Sequence, residues 1–391
     1  MNQKSLKIQA GFQSIETISY QEEIPNGARF STPAGLLDVT FYAPGIVRLQ
    51  LATQDRPDYG LLTTPPTDNL EVNVSETPRG YQAALGDVTF ELLPSPMRII
   101  LKIGEQTVLE SATDRTFLGN LRWLPFAKSE NAWLVSFALR SGSPVYGLGE
   151  KFGPLNRKGQ LVDSWNEDAT TLNSEPSYKN VPFAWSPAGW GLFTHTTSRV
   201  MHAVGYPQWS HRSYVLKVHD QDLDLFFLAA DSPAEMLAYY TALTGRTQEL
   251  PRWSYGVWMS RAYYKTAEET LEVAQKLRAH EIPCDVLVLD GRAWHKMETR
   301  FDFQWDADRY PNPAGFVAHL HEENFKLCLW EYPYISVKNL QFTELAEKKY
   351  LLQTKDGQPY IHRWLPDSND STFPHLPPSG IIDFTNPDAY R

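Results

Sequence analysis

The sequence predicts an all-β domain followed by a domain in which strands and helices alternate. Three observations lead there. Up to about position 249, short runs alternate apolar and polar residues, with turn formers between them. After Pro251 the runs become continuously apolar and are separated by stretches of helical spacing. Apolar residues make up 42% of the 391, enough for a buried core in each part.

The β pattern recurs at residues 36–42, 46–52, 82–93, 98–103, 133–139, 191–197 and 214–220. Turn signals fall between these runs, among them Pro94-Ser95-Pro96, Asn120 and Ser141-Gly142-Ser143-Pro144. This spacing predicts a large antiparallel sandwich over residues 1–249. Near its end, Ser232 precedes Pro233-Ala234-Glu235 and a run with helical spacing, which predicts a capped helix.

The second domain is placed at 250–391. Residues 255–259 form a short apolar run. Thr266-Ala267-Glu268-Glu269 reads as a capping box ahead of Leu271, Ala274 and Leu277, and residues 281–283 end that helix. Residues 286–289 read as a buried strand, 313–323 as a second helix, 326–330 as a third strand and 337–348 as a further helix. A fourth short strand is expected at 381–384. Such βα units imply a parallel sheet, either a (β/α)8 barrel or an open sheet. A complete barrel takes about 250 residues, so the residues after 250 are expected to cover only part of one.

The 46 acidic and 36 basic residues give a net charge of -10, which disfavours the basic stripe that nucleic-acid binding needs. No apolar run approaches the ~18 residues of a membrane span. The first residues contain no apolar leader, so a cytoplasmic location is expected. Cys284 and Cys328 lie in apolar runs and read as reduced core thiols. The ten histidines show no metal-ligand spacing, and Gly147-Leu148-Gly149-Glu150 lacks the context of a phosphate loop. No metal or other cofactor is expected.

Carboxylates at strand ends remain as candidates for chemistry. Asp290 closes the run 286–289, where a parallel barrel presents its active site. It reads as a ligand for sugar hydroxyls, or as a turn residue before Gly291. Trp330 and Glu331 close the next strand in the same way. Trp330 is either a stacking platform or a core residue. Trp294 and His295 follow in the loop after Asp290, where Trp294 is either a binding residue or a packing anchor. In the β domain, Trp165-Asn166-Glu167-Asp168 reads as a solvated turn or as a loop reaching over a pocket. The 13% aromatic content suits sugar stacking and β cores equally.

These residues carry a resemblance. Val145-Tyr146-Gly147-Leu148-Gly149-Glu150-Lys151-Phe152 resembles a signature of family 31 glycoside hydrolases. Trp165-Asn166-Glu167-Asp168, followed by Tyr178-Lys179-Asn180-Val181-Pro182-Phe183, resembles a second stretch of that family. Leu289-Asp290, Phe301-Asp302-Phe303-Gln304-Trp305-Asp306 and Lys326-Leu327-Cys328-Leu329-Trp330 continue in order. Ile382-Asp383-Phe384-Thr385-Asn386-Pro387 is similar to a segment of the α-xylosidase-like branch. The resemblance covers about residues 30–391.

It implies a β-sandwich followed by a (β/α)8 TIM barrel, here incomplete. It implies a retaining hydrolase of terminal α-linked glycosides, of α-glucosidase or α-xylosidase type. The alternatives are a non-catalytic carbohydrate-binding fragment, or a lyase or transglycosylase on the same scaffold. In the family the nucleophile and the acid/base are aspartates of later barrel strands, and neither motif occurs before Arg391. Asp290 matches the aspartate that binds the sugar being released, and Trp330 the aromatic on the pocket floor. Asp168 lies on the loop expected to reach the barrel mouth. Arg261 stands where α-xylosidases place an aromatic, and Gly291-Arg292-Ala293 departs from their Cys-Phe pair. Arg261 and Arg292 then make either a cationic rim or ion pairs with Glu298 or Asp302. A small oligosaccharide or α-glycoside is the implied partner, with a homo-oligomer possible for the full-length enzyme.

Overall fold

The computed structural model describes residues 8–51, 59–167, 176–261, 264–291, 293–296, 298–363 and 377–391. The chain divides into two compact units, Met1–Thr247 and Gln248–Arg391.

The first unit is built from antiparallel sheets of eight, six and five strands. Its central strand, Leu223–Ala229, is buried along its whole length. It pairs with Ile46–Leu51 on one side and Trp190–Thr194 on the other. Alternation sends its side chains to two different cores. Leu225 and Phe227 face the main core, where Phe227 meets Phe90 of the five-stranded sheet and Phe137 of the six-stranded sheet. Phe226 and Leu228 join a second cluster with Met236 and Leu243 of the helix Pro233–Thr244. That helix starts as expected, with the Ser232 hydroxyl accepting from the Glu235 amide.

The expected run at 82–93 is two strands. Gly80–Leu85 and Val88–Leu93 form a hairpin around Gly86, whose φ of +61° suits a residue without a Cβ. The alternation continues across the turn and hides it in the sequence.

The second unit holds three parallel strands in register, Trp258–Arg261, Val286–Leu289 and Lys326–Leu329. Helix Ala267–Ala279 connects the first two and Pro313–Glu322 the last two. The Thr266 hydroxyl caps the first helix through the Glu269 amide, and Thr270, Ala274 and Leu277 form its buried face. The Glu269 carboxylate reaches back to the Lys265 amide at 2.6 Å. Asn312 caps the second helix.

Two expectations for this unit are corrected. The helix expected at 337–348 covers only Phe342–Glu347. The residues before it make turns, with the Ser336 hydroxyl accepting from the Lys338 amide and Asn339 Oδ1 from the Gln341 amide. The strand expected at 381–384 is Ser379–Ile381, and it does not extend the parallel sheet. It pairs antiparallel with Tyr334–Ser336 and Ile361–His362 in a separate sheet. Asp383 ends it by accepting from both the amide and the hydroxyl of Thr385.

Among the described residues, no helix is long and apolar enough to cross a membrane. Both cysteines are free.

Candidate functional site

The three parallel strands end side by side, with Arg261, Leu289 and Leu329 in register. Asp290 and Trp330 each lie one residue beyond, and the Trp330 amide donates to the Leu289 carbonyl at 3.0 Å. The register therefore brings a carboxylate and an indole to the same end of the sheet.

Asp290 is half-buried. Its Oδ1 accepts from the Gly291 amide at 2.7 Å, and its carbonyl accepts from the Ala293 amide at 2.7 Å. It thus begins a tight turn, which fixes the carboxylate at the strand end. Gly291 has no room for a side chain, because an added Cβ would lie 2.3 Å from Trp330 Cε3. The Trp330 ring packs over this glycine, keeps 40% of its surface exposed and also touches Phe301 and Tyr332.

Trp294 takes the packing alternative. It is 2% exposed and donates its Nε1–H to the Trp330 carbonyl at 3.1 Å. It supports the strand end from inside the core. Glu331 is exposed beside Trp330. Arg261 is tied to Glu269 Oε1 at 2.9 Å, in the first turn of the following helix, and neither Glu298 nor Asp302 is its partner. The Lys265 amide, together with Arg261, holds the Glu269 carboxyl below its ordinary range. Asp168 and Arg292 lie outside the described residues.

Sequence reading passed over the groups that lock the turn from below. Arg300 is 2% exposed, donates Nη1–H to the Gly291 carbonyl at 3.3 Å, and lies against Tyr332 and Phe301. Arg309 donates to the carbonyls of Ala293 and His295 and to Asp306 Oδ2. The Asp306 amide in turn donates to the Trp294 carbonyl. Burial is the largest single influence and would raise the Asp306 carboxyl, but the hydrogen bonds from Arg309 and the Asp308 amide, with the charges of Arg309 and Lys296, together outweigh it and hold the group below its ordinary range. His295 is fully buried against Trp294 and Phe301, and neither ring nitrogen has a partner among the described residues. Burial, aided by Arg300 and Arg309, pushes its pKa down to about 3, so the imidazole is neutral. An arginine or histidine in a loop carries no sequence signal of burial, since such residues are usually exposed.

The arrangement can accept hydrogen bonds from sugar hydroxyls at Asp290 and offer a flat face at Trp330.

Comparison with known proteins bears on this geometry. Residues 36–201 match the family model described as the glycosyl hydrolase 31 N-terminal galactose mutarotase-like domain. Residues 247–391 match the glycosyl hydrolases family 31 TIM-barrel domain. An α-xylosidase, XylQ, of Lactiplantibacillus pentosus is 34% identical over 249 residues, which are 63% of this chain and 31% of that protein. An α-xylosidase of Emericella nidulans is 31% identical, over 68% of this chain and 32% of that protein. The chain therefore spans about a third of the length of these curated relatives. A Flavobacterium johnsoniae dextranase of the same family, solved with isomaltotriose, shares the fold. Its TM-score is 0.82 at 23% identity, covering 96% of this chain and 45% of that one.

Proposed function

The chain belongs to glycoside hydrolase family 31, and on that premise we propose that the full-length protein is a retaining α-glycosidase acting on terminal α-linked neutral sugars. One observation carries the reading. Asp290 and the exposed Trp330 stand together one residue past the ends of adjacent in-register strands, at the end where a barrel places its active site. The relatives named as α-xylosidases and α-glucosidases support the α-linked neutral substrate.

In this reading the chain supplies the part of the pocket that holds the sugar. Asp290 binds hydroxyls of the sugar being released, and Trp330 lies under its C–H face. The turn locked by Arg300 and Trp294 keeps both groups in place before substrate arrives, which lowers the cost of ordering them on binding. The two carboxylates of bond cleavage belong to the rest of the barrel. Arg261, held by Glu269, stands at the strand end where α-xylosidases place an aromatic that narrows the pocket, and the absence of that aromatic favours a glycoside larger than a xyloside.

The test is steady-state hydrolysis of aryl α-glycosides by the full-length protein and its Asp290→Ala variant. A hydrogen bond to a charged group contributes about 1.5–3 kcal/mol, so kcat/KM should fall about 10- to 150-fold. Wild-type kcat/KM in the variant would show that Asp290 does not hold the sugar.

A further inference from the structure

Four neighbouring strands of the six-stranded sheet, Trp133–Ala138, Ser213–Val218, Val200–Val204 and Gln160–Ser164, begin or end together. Backbone bonds carry the pairing one step past that end. The Leu139 amide donates to the Arg212 carbonyl at 2.8 Å, Gly205 to Ser213 at 3.0 Å and Gly159 to Val204 at 2.7 Å. Antiparallel pairing thereby brings Arg140, Lys158 and Arg212 into the lining of one cavity of about 720 Å³. The stretch that starts at Trp165 leaves the opposite end of Gln160–Ser164, so the cavity lies away from it. From this cavity we infer a binding site for a small phosphomonoester, contained in the first unit.

Charge selects the ligand. Lys158 Nζ donates to the Arg140 carbonyl at 2.7 Å, and the Arg140 guanidinium donates to the Thr107 carbonyl. These bonds orient both cations without neutralising them. Arg212 Nη2 lies 3.5 Å from Asp114 Oδ1, but its side chain is 78% exposed, and such a pair is weak in water. Among the described residues of the lining, Glu110 supplies the one carboxylate against these three cations. A dianion gains from all three, a monoanion gains less and a neutral sugar gains little. The net charge of the chain is -10, so a long polyanion such as nucleic acid meets repulsion beyond the cavity. The volume falls within the ~300–1,000 Å³ of small-molecule sites. It exceeds what a phosphate alone fills, which leaves room for an organic part beside Ser141 and Gly159.

The site is tested on the 391-residue chain by calorimetric titration at constant ionic strength. Glucose 6-phosphate, inorganic phosphate, glucuronate and glucose are the probes. Saturable binding of glucose 6-phosphate is expected, with a Kd of about 1 mM or tighter, and the other three should bind about tenfold more weakly or less. Arg212→Gln and Lys158→Gln should each weaken binding of glucose 6-phosphate about tenfold or more. Glu110→Gln should tighten it about two- to fivefold, because a repelling carboxylate is removed. Asp290→Ala, in the second unit, should leave it unchanged. Circular dichroism checks that the variants fold. Absence of saturable binding, equal binding of any other probe, or wild-type affinity in a folded Arg212→Gln or Lys158→Gln variant overturns the assignment. So does failure of Glu110→Gln to tighten binding, or loss of binding with Asp290→Ala. Loss of hydrolysis with Asp290→Ala in the full-length protein bears on the strand-end reading alone.

Discussion

The two units use apolar surface in different ways. In the first, the middle strands of the large sheet are covered on both faces, and Phe227 bridges to both other sheets. In the parallel sheet of the second, Val286–Leu289 is largely buried, while its neighbours Trp258–Arg261 and Lys326–Leu329 are half-exposed or exposed along their length. Parallel sheets are ordinarily covered on both faces. Buried polar groups do not follow that division. Asp224 of the first unit accepts from Arg48 and His195, and Asp306 of the second accepts from Arg309, while the Ser164 hydroxyl of the first and the His295 ring of the second have no partner among the described residues. The first unit closes on itself as a scaffold. The second holds Trp330 40% exposed at a strand end.

The largest expected effect tests that closure. Phe227→Ala removes a fully buried ring that fills the space between three sheets, and should cost about 3–5 kcal/mol. Trp258→Ala, at a side chain 45% exposed that donates Nε1–H to the Ser254 carbonyl and packs on Trp253, should cost less, about 1–2 kcal/mol. Urea denaturation of both variants makes the measurement. Equal costs would erase the distinction between the units.

Sequence patterning made the same distinction only in part. Strand existence was legible where alternation and burial coincide, as at Ile46–Leu51, because one face is always covered there. The turn at Gly86 was not, since alternation runs through it. The helix cap at Thr266 was legible because its hydrogen bonds are local. The late start of helix Phe342–Glu347 was not, because Asn339 is committed to the Thr299 and Phe301 carbonyls, forty residues earlier in the case of Thr299. At the candidate site, Asp290 and Trp330 could be read from their place at the ends of apolar runs. Trp294, Arg300 and Arg309 act through contacts with distant backbone, and no local pattern announces those.

A medium-sized effect probes the packing at the strand end. Gly291→Ala puts a Cβ 2.3 Å from Trp330 Cε3 and 2.4 Å from Cζ3, so the indole must move. Overpacking of this kind should cost about 1–3 kcal/mol. It should also change Trp330 fluorescence and, in the full-length protein, raise KM for aryl α-glycosides. An unchanged spectrum and KM would mean that Gly291 does not set the ring's position.

The smallest effect is that of His295, set against His202 of the first unit; both are buried and both have a pKa lowered to about 3, chiefly by burial. His202 Nδ1 lies 2.7 Å from the Tyr214 hydroxyl, a hydrogen bond that His202→Phe would break, leaving a buried phenol unpaired at a cost of about 1–3 kcal/mol. His295→Phe breaks no hydrogen bond seen among the described residues and keeps a ring against Trp294 and Phe301, so at neutral pH it should change stability by less than about 1 kcal/mol. Acid separates wild type from variant. The unfolded imidazole titrates near 6.5 and the folded one near 3, so between those values the unfolded state binds the extra proton. Stability contributed by neutral His295 is complete above pH 6.5 and is lost as pH falls toward 3. His295→Phe should remove that part of the acid sensitivity, seen as a smaller drop in the urea midpoint between neutral pH and about pH 4.5. A variant with the wild-type drop would show that His295 gains no proton when the second unit unfolds, and the contrast between the two histidines would then rest on His202 alone.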